Sequence, residues 1–320
     1  MNEKKIIEFC EKKGLIFDSI IHNNPDKDSF VALAYDKNTK KKLIIKIIGD
    51  KTTQEFKKSF VNECEFYSKF ESNYTTKLID SGENFLILEN FGINLREHIK
   101  RKYIKENKNN INALLKEISY VLDWCHNLGS GKYPMKEIEI KFVTDTLYNR
   151  IGNLASSGPE FSTPSKFESF AIRQIWKVFS KKLKHNLKKL VTSWKKTDMN
   201  ILSEYGHYDT HSENFVIQND SLKIIDFGNF KTPGIWISDC LYLSSTLYAA
   251  LSSKKELQKE IKEHTINYLL LREPKLKNDA KKITDVFFNA AEMNSRFRIK
   301  NKGFRIKNIF SFINSVLKLD

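Results

Sequence analysis

The densest run of chemically capable side chains is Gly206-His207-Tyr208-Asp209-Thr210-His211-Ser212-Glu213-Asn214. Phe215-Val216-Ile217 follows it and, after a short gap, Ile224-Ile225-Asp226-Phe227-Gly228. The pattern is His-x-Asp-x-His-x-x-Asn, a short hairpin, and Ile-Asp-Phe-Gly. Asp209 and Asn214 are five residues apart on a loop before a strand, and Asp226 lies 17 residues past Asp209, at the exit of the next strand. A hairpin between them brings the three polar groups to one end of a sheet. Phosphoryl transfer asks for such a set. One carboxylate orients the acceptor hydroxyl and takes its proton, while an Asn oxygen and a second carboxylate hold Mg²⁺ against nucleotide phosphates. In that chemistry Asp209 is the base, and Asn214 and Asp226 are the metal ligands. His207 organises the loop by hydrogen bonding, and His211 either points at the transferring group or braces Asp209.

Plainer readings exist for the separate pieces. A single His-x-Asp is a surface turn in most chains, and Asp-Phe-Gly alone is a common turn signal. His207 and His211 could form an imidazole pair for zinc, but no third histidine or cysteine stands nearby to complete a site. It is the combination, in the right strand context, that points to phosphotransfer. A Gly-x-x-x-x-Gly-Lys-Ser/Thr loop is missing, which sets aside the P-loop nucleotidases.

These groups need a scaffold, and the sequence supplies one. Residues 15–21, 29–35 and 42–48 alternate as strands do, with tight links at 22–28 and 36–41, so they predict an antiparallel meander. An amphipathic helix follows over 53–70, with Phe56, Phe60, Cys64 and Tyr67 on one face. Residues 75–80 and 84–89 read as a further hairpin. From residue 95 the pattern becomes mostly helical, over 95–104 and 111–128, then an irregular stretch over 129–164, then a long helix over 167–194. Residues 215–217 and 223–225 are two short strands joined by an Asn219-Asp220 turn. Helices return after Trp236, over 261–271, 283–293 and 309–319.

The chain has 320 residues, with 54 Lys plus Arg against 39 Asp plus Glu, a formal net charge of +15. A hydrophobic content of 40% and an aromatic content of 12% are too high for a disordered chain. The apolar stretch at 241–251 is broken by Ser244, Ser245 and Thr246, so no membrane insertion is expected. The start, Met1-Asn2-Glu3-Lys4-Lys5, has no apolar stretch of the secretory kind. Cys10, Cys64, Cys125 and Cys240 form no Cys-x-x-Cys and read as free thiols of a reducing compartment, so the expected location is cytoplasmic. The positive charge is mostly diffuse lysine. The lysine run over 181–196 reads as a solvated helix face rather than a nucleic-acid surface.

The motif and its context resemble the aminoglycoside phosphotransferase and choline kinase group, within the protein-kinase-like fold. Members carry a loop close to His-Gly-Asp-x-His-x-x-Asn and then an Ile-Asp-(Phe/Trp) metal site; here Tyr208 replaces the glycine. Protein kinases have Lys where this chain has His211, so the resemblance is to the small-molecule branch. It implies an α+β, bilobal fold: a small, mostly antiparallel N-lobe with one main helix, and a larger helical C-lobe with a catalytic-loop hairpin. Residues 1–90 would clamp the nucleotide. Residues 91–320 would form the catalytic and acceptor-binding lobe, with a helical insert at about 131–204.

The same resemblance implies roles for further residues. Lys46 on the third strand would reach the phosphates of ATP, paired with Glu63 rather than Glu65, which the helical period rotates away. Backbone groups around Glu89 to Phe91 would bond the adenine edge. The phosphate-covering loop over 22–29 has no glycine and would work through Asn24 or Ser29. Asp239 would brace the catalytic loop. The implied reaction is transfer of the γ-phosphoryl group of ATP, with Mg²⁺, to the hydroxyl of a small molecule. Aminoglycoside-, amino-alcohol-, nucleoside- and sugar-like acceptors all stay open, and Arg296, Arg298 and Arg305 would suit an anionic one. The rival readings are a protein kinase acting in trans and a non-catalytic nucleotide-binding scaffold. Oligomeric state is not legible.

Overall fold

Period-two alternation and short turns build a sheet from the first ninety residues, and 3.6-residue periodicity builds helices from most of the rest. The computed structural model describes residues 3–90, 92–129, 132–133, 139–156, 166–295 and 306–319. In chain order the first elements are α1 (Glu3–Lys12), β1 (Leu15–Asn24), β2 (Ser29–Asp36), β3 (Lys42–Ile48), α2 (Gln54–Lys69), β4 (Leu78–Gly82), β5 (Phe85–Glu89) and β6 (Ile93–Asn94). Next come α3 (Leu95–Ile99), α4 (Asn112–His126), β7 (Lys132–Tyr133), α5 (Glu139–Ser156), α6 (Lys166–Lys196) and β8 (Leu202–Ser203). Then follow β9 (Phe215–Gln218), β10 (Ser221–Ile224), α7 (Trp236–Ala250), α8 (Lys255–Arg272), α9 (Asn278–Ser295) and α10 (Ile306–Leu317). The fold is α+β. Two units emerge from the packing: Met1–Leu95 with Glu213–Phe230, and Arg96–Ser212 with Lys231–Asp320.

In the first unit the strands run in the order β1-β2-β3-β5-β4, every neighbouring pair antiparallel. Successive side chains on a strand face opposite ways. On β3, Leu43, Ile45 and Ile47 therefore share one face, which joins Phe30, Ala32 and Ala34 of β2 in a core covered by Ile6 and Cys10 of α1. Lys46 faces the other way. That face receives α2, whose buried side chains are Phe60, Glu63, Phe66 and Tyr67. Thr53 caps α2 by accepting the Phe56 N–H at 3.3 Å. Helix α1 was not expected, because Ile6, Phe9 and Cys10 are its only apolar stripe among lysines and glutamates.

The β9–β10 hairpin packs within this same unit. Asn219 and Asp220 both have positive φ, 50° and 61°, as a two-residue hairpin turn of matching twist requires. Strand β9 also pairs with β6, Ile217 opposite Ile93. Gly92, at φ 81°, approaches the Ile217 carbonyl too closely to leave room for a Cβ. Past β10, the ring of Phe227 stacks on Phe66 of α2 with centroids 3.5 Å apart and planes 11° from parallel. Phe230 meets Phe66 edge-on at 4.5 Å. Gly228 lies so close to Ser59 of α2 that a Cβ there would strike its hydroxyl.

The second unit is helical. α7 is buried nearly all round, with Trp236, Ile237, Leu241, Leu243 and Leu247 in its core positions, the signature of a central helix. The stretch read as irregular over 129–164 contains α5, whose Val143, Leu147, Ile151 and Leu154 are buried at i, i+4, i+8 and i+11. The expected helix over 95–104 is a short α-helix that continues as a π-helical segment over Lys100–Lys105. None of the described helices is long and apolar enough to cross a membrane. All four cysteines are free, with Cys10, Cys125 and Cys240 buried.

The Phe66–Phe227 stack is the joint between α2 and the segment after β10. Phe66→Ala removes a fully buried aromatic side chain and is expected to cost about 3–5 kcal/mol in urea unfolding. A loss below about 1 kcal/mol would show that the stack does not hold these elements together.

Candidate active site

The first unit brings together three of the residues singled out from sequence. The Lys46 ammonium forms an ion pair with the Glu63 carboxylate and lies 3.3 Å from Asp226 Oδ1. Glu63 is buried, 3% exposed, on the stripe of α2 that faces the sheet. Burial alone would lower the Lys46 pKa, but the Asp226 and Glu63 carboxylates beside it hold it above the ordinary lysine value. Burial pushes the Glu63 carboxyl up to about 7, against the pull of Lys46. A charge in this setting is tolerable only with its partners in place.

Asn214 and Asp226 flank the hairpin. Phe215 pairs with Ile224, and the Ile225 N–H donates to the Asn214 carbonyl at 2.9 Å. The register thus sets Asn214 one residue before β9 and Asp226 two residues after β10, at the same end. Asp226 is in the left-handed region at φ 61°, with Phe227 behind it fixed by the stack on Phe66. Both side chains offer hard oxygen donors. Such a pair suits Mg²⁺, which keeps several waters and takes phosphate oxygens rather than an all-protein cage. No cluster of three or more His, Cys, Asp or Glu with metal-binding placement occurs among the described residues.

The remaining first-unit candidates are spread along the sheet. Ser29 is buried at the start of β2, paired with Asn24 and Ile48. The preceding turn, Pro25–Lys27, is capped by the Asn24 side chain, which accepts the Lys27 N–H at 3.1 Å. Asp28 takes the left-handed conformation that a glycine would take more readily, and its carboxylate accepts the Lys51 N–H at 3.2 Å. At the end of β5, the Glu89 N–H donates to the Lys77 carbonyl and the Asn90 N–H to the Lys42 carbonyl. Their own carbonyls accept from Thr76 and Gln218. Phe91 lies outside the described residues, as do Arg296, Arg298 and Arg305.

The second unit holds His207, Asp209 and His211 in one loop, and its organiser is Asp239. Asp239 sits in the first turn of α7, 2% exposed. Its Oδ2 accepts the His207 N–H at 3.1 Å and contacts His126 Nε2 at 3.4 Å. Thr210 donates its hydroxyl to the Asp239 carbonyl at 2.9 Å, with Oδ1 at 3.3 Å. Arg150 Nη2 lies 3.8 Å from Asp239 Oδ1. His207 itself is fully buried, and its Nδ1 accepts the Asp209 N–H at 3.2 Å; the ring proton therefore sits on Nε2. His211 Nε2 lies 3.7 Å from Asp209 Oδ1. Burial works to raise the Asp209 carboxyl, and His211, His207 and Arg150 together bring it below the ordinary aspartate value.

Tyr208 has a φ of 59°, a left-handed conformation that glycine adopts more readily than tyrosine. The ring is pinned. The hydroxyl donates to the Pro233 carbonyl, and the Lys231 ammonium lies 4.5 Å over the ring centre. Two backbone bonds between Gly206 and Lys231, 3.0 and 3.1 Å, tie the same segment to the loop.

Among solved structures, the chain is similar to the Plasmodium vivax ethanolamine kinase, with a TM-score of 0.51 at 18% identity over 98% of this chain and 89% of that one. The fold is kinase-like. A choline kinase from Cryptosporidium parvum Iowa II is also similar, with a TM-score of 0.49 at 11% identity over 99% of this chain and 95% of that one. An aminoglycoside phosphotransferase from Alicyclobacillus acidocaldarius gives 0.42 at 10% identity, over 95% and 89%. No family model and no curated protein matches the sequence. Within this kinase-like fold, His126 and Arg150 are members of the loop brace that the sequence did not offer. His126 closes an apolar helix, where histidine reads as a core residue, and Arg150 lies in the stretch read as irregular.

The brace has a pH signature. Burial holds His126 below the ordinary histidine pKa, against the pull of Asp239, so the unfolded chain protonates first as pH falls below about 6.5. Despite burial, Asp239 is held below the ordinary aspartate value by His126 and Arg150, so its contribution is present above about pH 4 and lost further down. Both signs make acid destabilising. The melting temperature is expected to fall between pH 7 and 5, and His126→Gln is expected to flatten that fall. Parallel slopes for the two proteins would remove His126 from the account.

Proposed function

We propose that this chain is a phosphotransferase that moves the γ-phosphoryl group of ATP, with Mg²⁺, to a hydroxyl of a small molecule. The observation that carries the reading is the Lys46–Glu63–Asp226 ionic set, a partly buried cation held between two carboxylates in the first unit. Lys46 meets the nucleotide phosphates in this reading, with Glu63 fixing its place. Asn214 and Asp226 would hold Mg²⁺, which supplies neutralisation of phosphate charge when bound. Asp209, kept ionised by its histidines and Arg150, orients the acceptor hydroxyl and takes its proton at the carboxylate. His207 fixes the backbone of that loop through Nδ1, and His211 braces the carboxylate. Catalysis is positioning and charge stabilisation, with in-line transfer and no covalent enzyme intermediate.

In this reading, residues 1–90 clamp the nucleotide and 91–320 carry the acceptor, in a cytoplasmic enzyme. Ser29 and the 22–29 turn cover the phosphates, and the carbonyls near Glu89 to Phe91 take the adenine amino group. Amino alcohols head the acceptor panel, because the similar structure with the higher TM-score is an ethanolamine kinase. Aminoglycosides, nucleosides and sugars complete it.

The test is Mg²⁺-dependent ATP consumption with pooled acceptors, product masses being read directly. One acceptor class is expected to gain a single phosphoryl group. Asp209→Asn should lower kcat by roughly 10²–10⁴-fold while nucleotide binding persists, and Lys46→Met should weaken nucleotide binding. Phosphorylation of added proteins instead would favour a protein kinase, and nucleotide binding without transfer to any acceptor would favour a scaffold.

A further inference from the structure

Arg150 is given no contact with nucleotide, metal or acceptor in the transfer just described; it enters only through its effect on the Asp209 carboxyl. It lies in the middle of α5 and is 7% exposed. Its guanidinium carbon stands 4.4 Å over the centre of the Tyr242 ring. Its Nη2 is buried, 3.8 Å from Asp239 Oδ1, and makes no hydrogen bond among the described residues. Arginine is usually buried behind a bidentate carboxylate, which returns the desolvation of its charge in two short hydrogen bonds. Here the guanidinium has no such fork. What it has is Tyr242, whose ring it lies on and whose hydroxyl it meets, and two carboxylates within reach of its field.

Those carboxylates belong to the loop and its brace. Asp239 and Tyr242 are three residues apart on α7 and so share a face, and Arg150 reaches that face from α5. Asp239 in turn holds the His207 N–H and the Thr210 hydroxyl, one on each side of Asp209. Asp209 itself has His211 Nε2 at 3.7 Å and gives its N–H to His207 Nδ1; the Arg150 charge on α5 and the Tyr242 hydroxyl on α7 act on its carboxyl through their field. Arg150 is the permanent positive charge among them; the histidines are shared with hydrogen-bonding duties.

We propose that Arg150 is a positioning residue for Asp209: seated on the Tyr242 ring against Asp239, it fixes the place and the charge of the loop aspartate. The proposal rests on the phosphotransfer reading for the role of Asp209 as base, whereas the coupling of Arg150 to Asp209 is a property of the folded chain alone. It makes α5, part of the insert between the long helix and the motif loop, a member of the reaction machinery.

Two measurements on the full chain separate these levels. The first follows the Asp209 carboxyl by carbon-13 NMR of labelled aspartates, with Asp209→Asn assigning the signal. In Arg150→Met, or in Arg150→Gln if the first variant melts early, the titration should move to higher pH, since a neighbouring positive charge that favours the carboxylate is gone. Arg150→Lys should lie close to the wild type. An unmoved titration in a folded neutral variant, or the same shift with lysine as with methionine, overturns the proposal.

The second uses the acceptor found above. Arg150→Met should lower kcat by about tenfold to a hundredfold, leave KM for ATP unchanged and move the acidic limb of the kcat profile to higher pH. A lowered melting temperature with an unchanged profile would assign Arg150 to stability alone. Absence of transfer in the wild type would overturn the enzymatic reading, while the carboxyl titration would still decide the coupling.

Discussion

A lysine in the middle of a strand, on the face that a helix covers, sets the terms for the first unit. Lys46 stands between Ile45 and Ile47, and its charge is stable there only because carboxylates come to it. One arrives from α2, so the helix must present Glu63 on its buried stripe, between Phe60 and Tyr67. The other arrives from the end of a hairpin more than one hundred residues later in the chain. That second arrival explains the close packing around Asp226: the Phe227 stack, the edge-on Phe230 and the glycine at 228, where α2 leaves no room for a side chain. Three ionisable groups thus govern the choice of apolar residues around them.

The second unit repeats the principle with the sign reversed. There the buried charge is negative, Asp239 at the start of α7, and it is met by a backbone amide, the Thr210 hydroxyl at 3.3 Å, an imidazole and the nearby guanidinium. A carboxylate at a helix N-terminus is also favoured by the helix dipole. Because two of its partners flank Asp209, the loop inherits the rigidity of the central helix.

Much of this was legible in the sequence. β3 and the two-residue Asn219-Asp220 turn follow from alternation and turn chemistry, and α2 from its apolar stripe. Lys46, Glu63 and Asp226 were singled out by motif and resemblance, and the structure draws them together. Their roles in phosphotransfer are a separate matter, and rest on the proposal. What the sequence hid has a common cause. α1 has too few apolar residues to outweigh its lysines, and α5 reads as broken by Gly152 and its polar neighbours. His126 and Arg150 gain meaning only from Asp239, 113 and 89 positions away, and no local period reports a partner at that range. The grouping of Glu213–Phe230 with the first sheet is likewise a fact of packing.

Tyr208 carries a consequence for how this loop can vary. A tyrosine in the left-handed region bears backbone strain that glycine avoids, and its ring and hydroxyl offset that strain by gripping Pro233 and Lys231. Substitution by glycine would relax the backbone and release the grip in the same step. Position 208 and the 231–233 segment are therefore an epistatic pair: the value of either residue depends on which partner is already present.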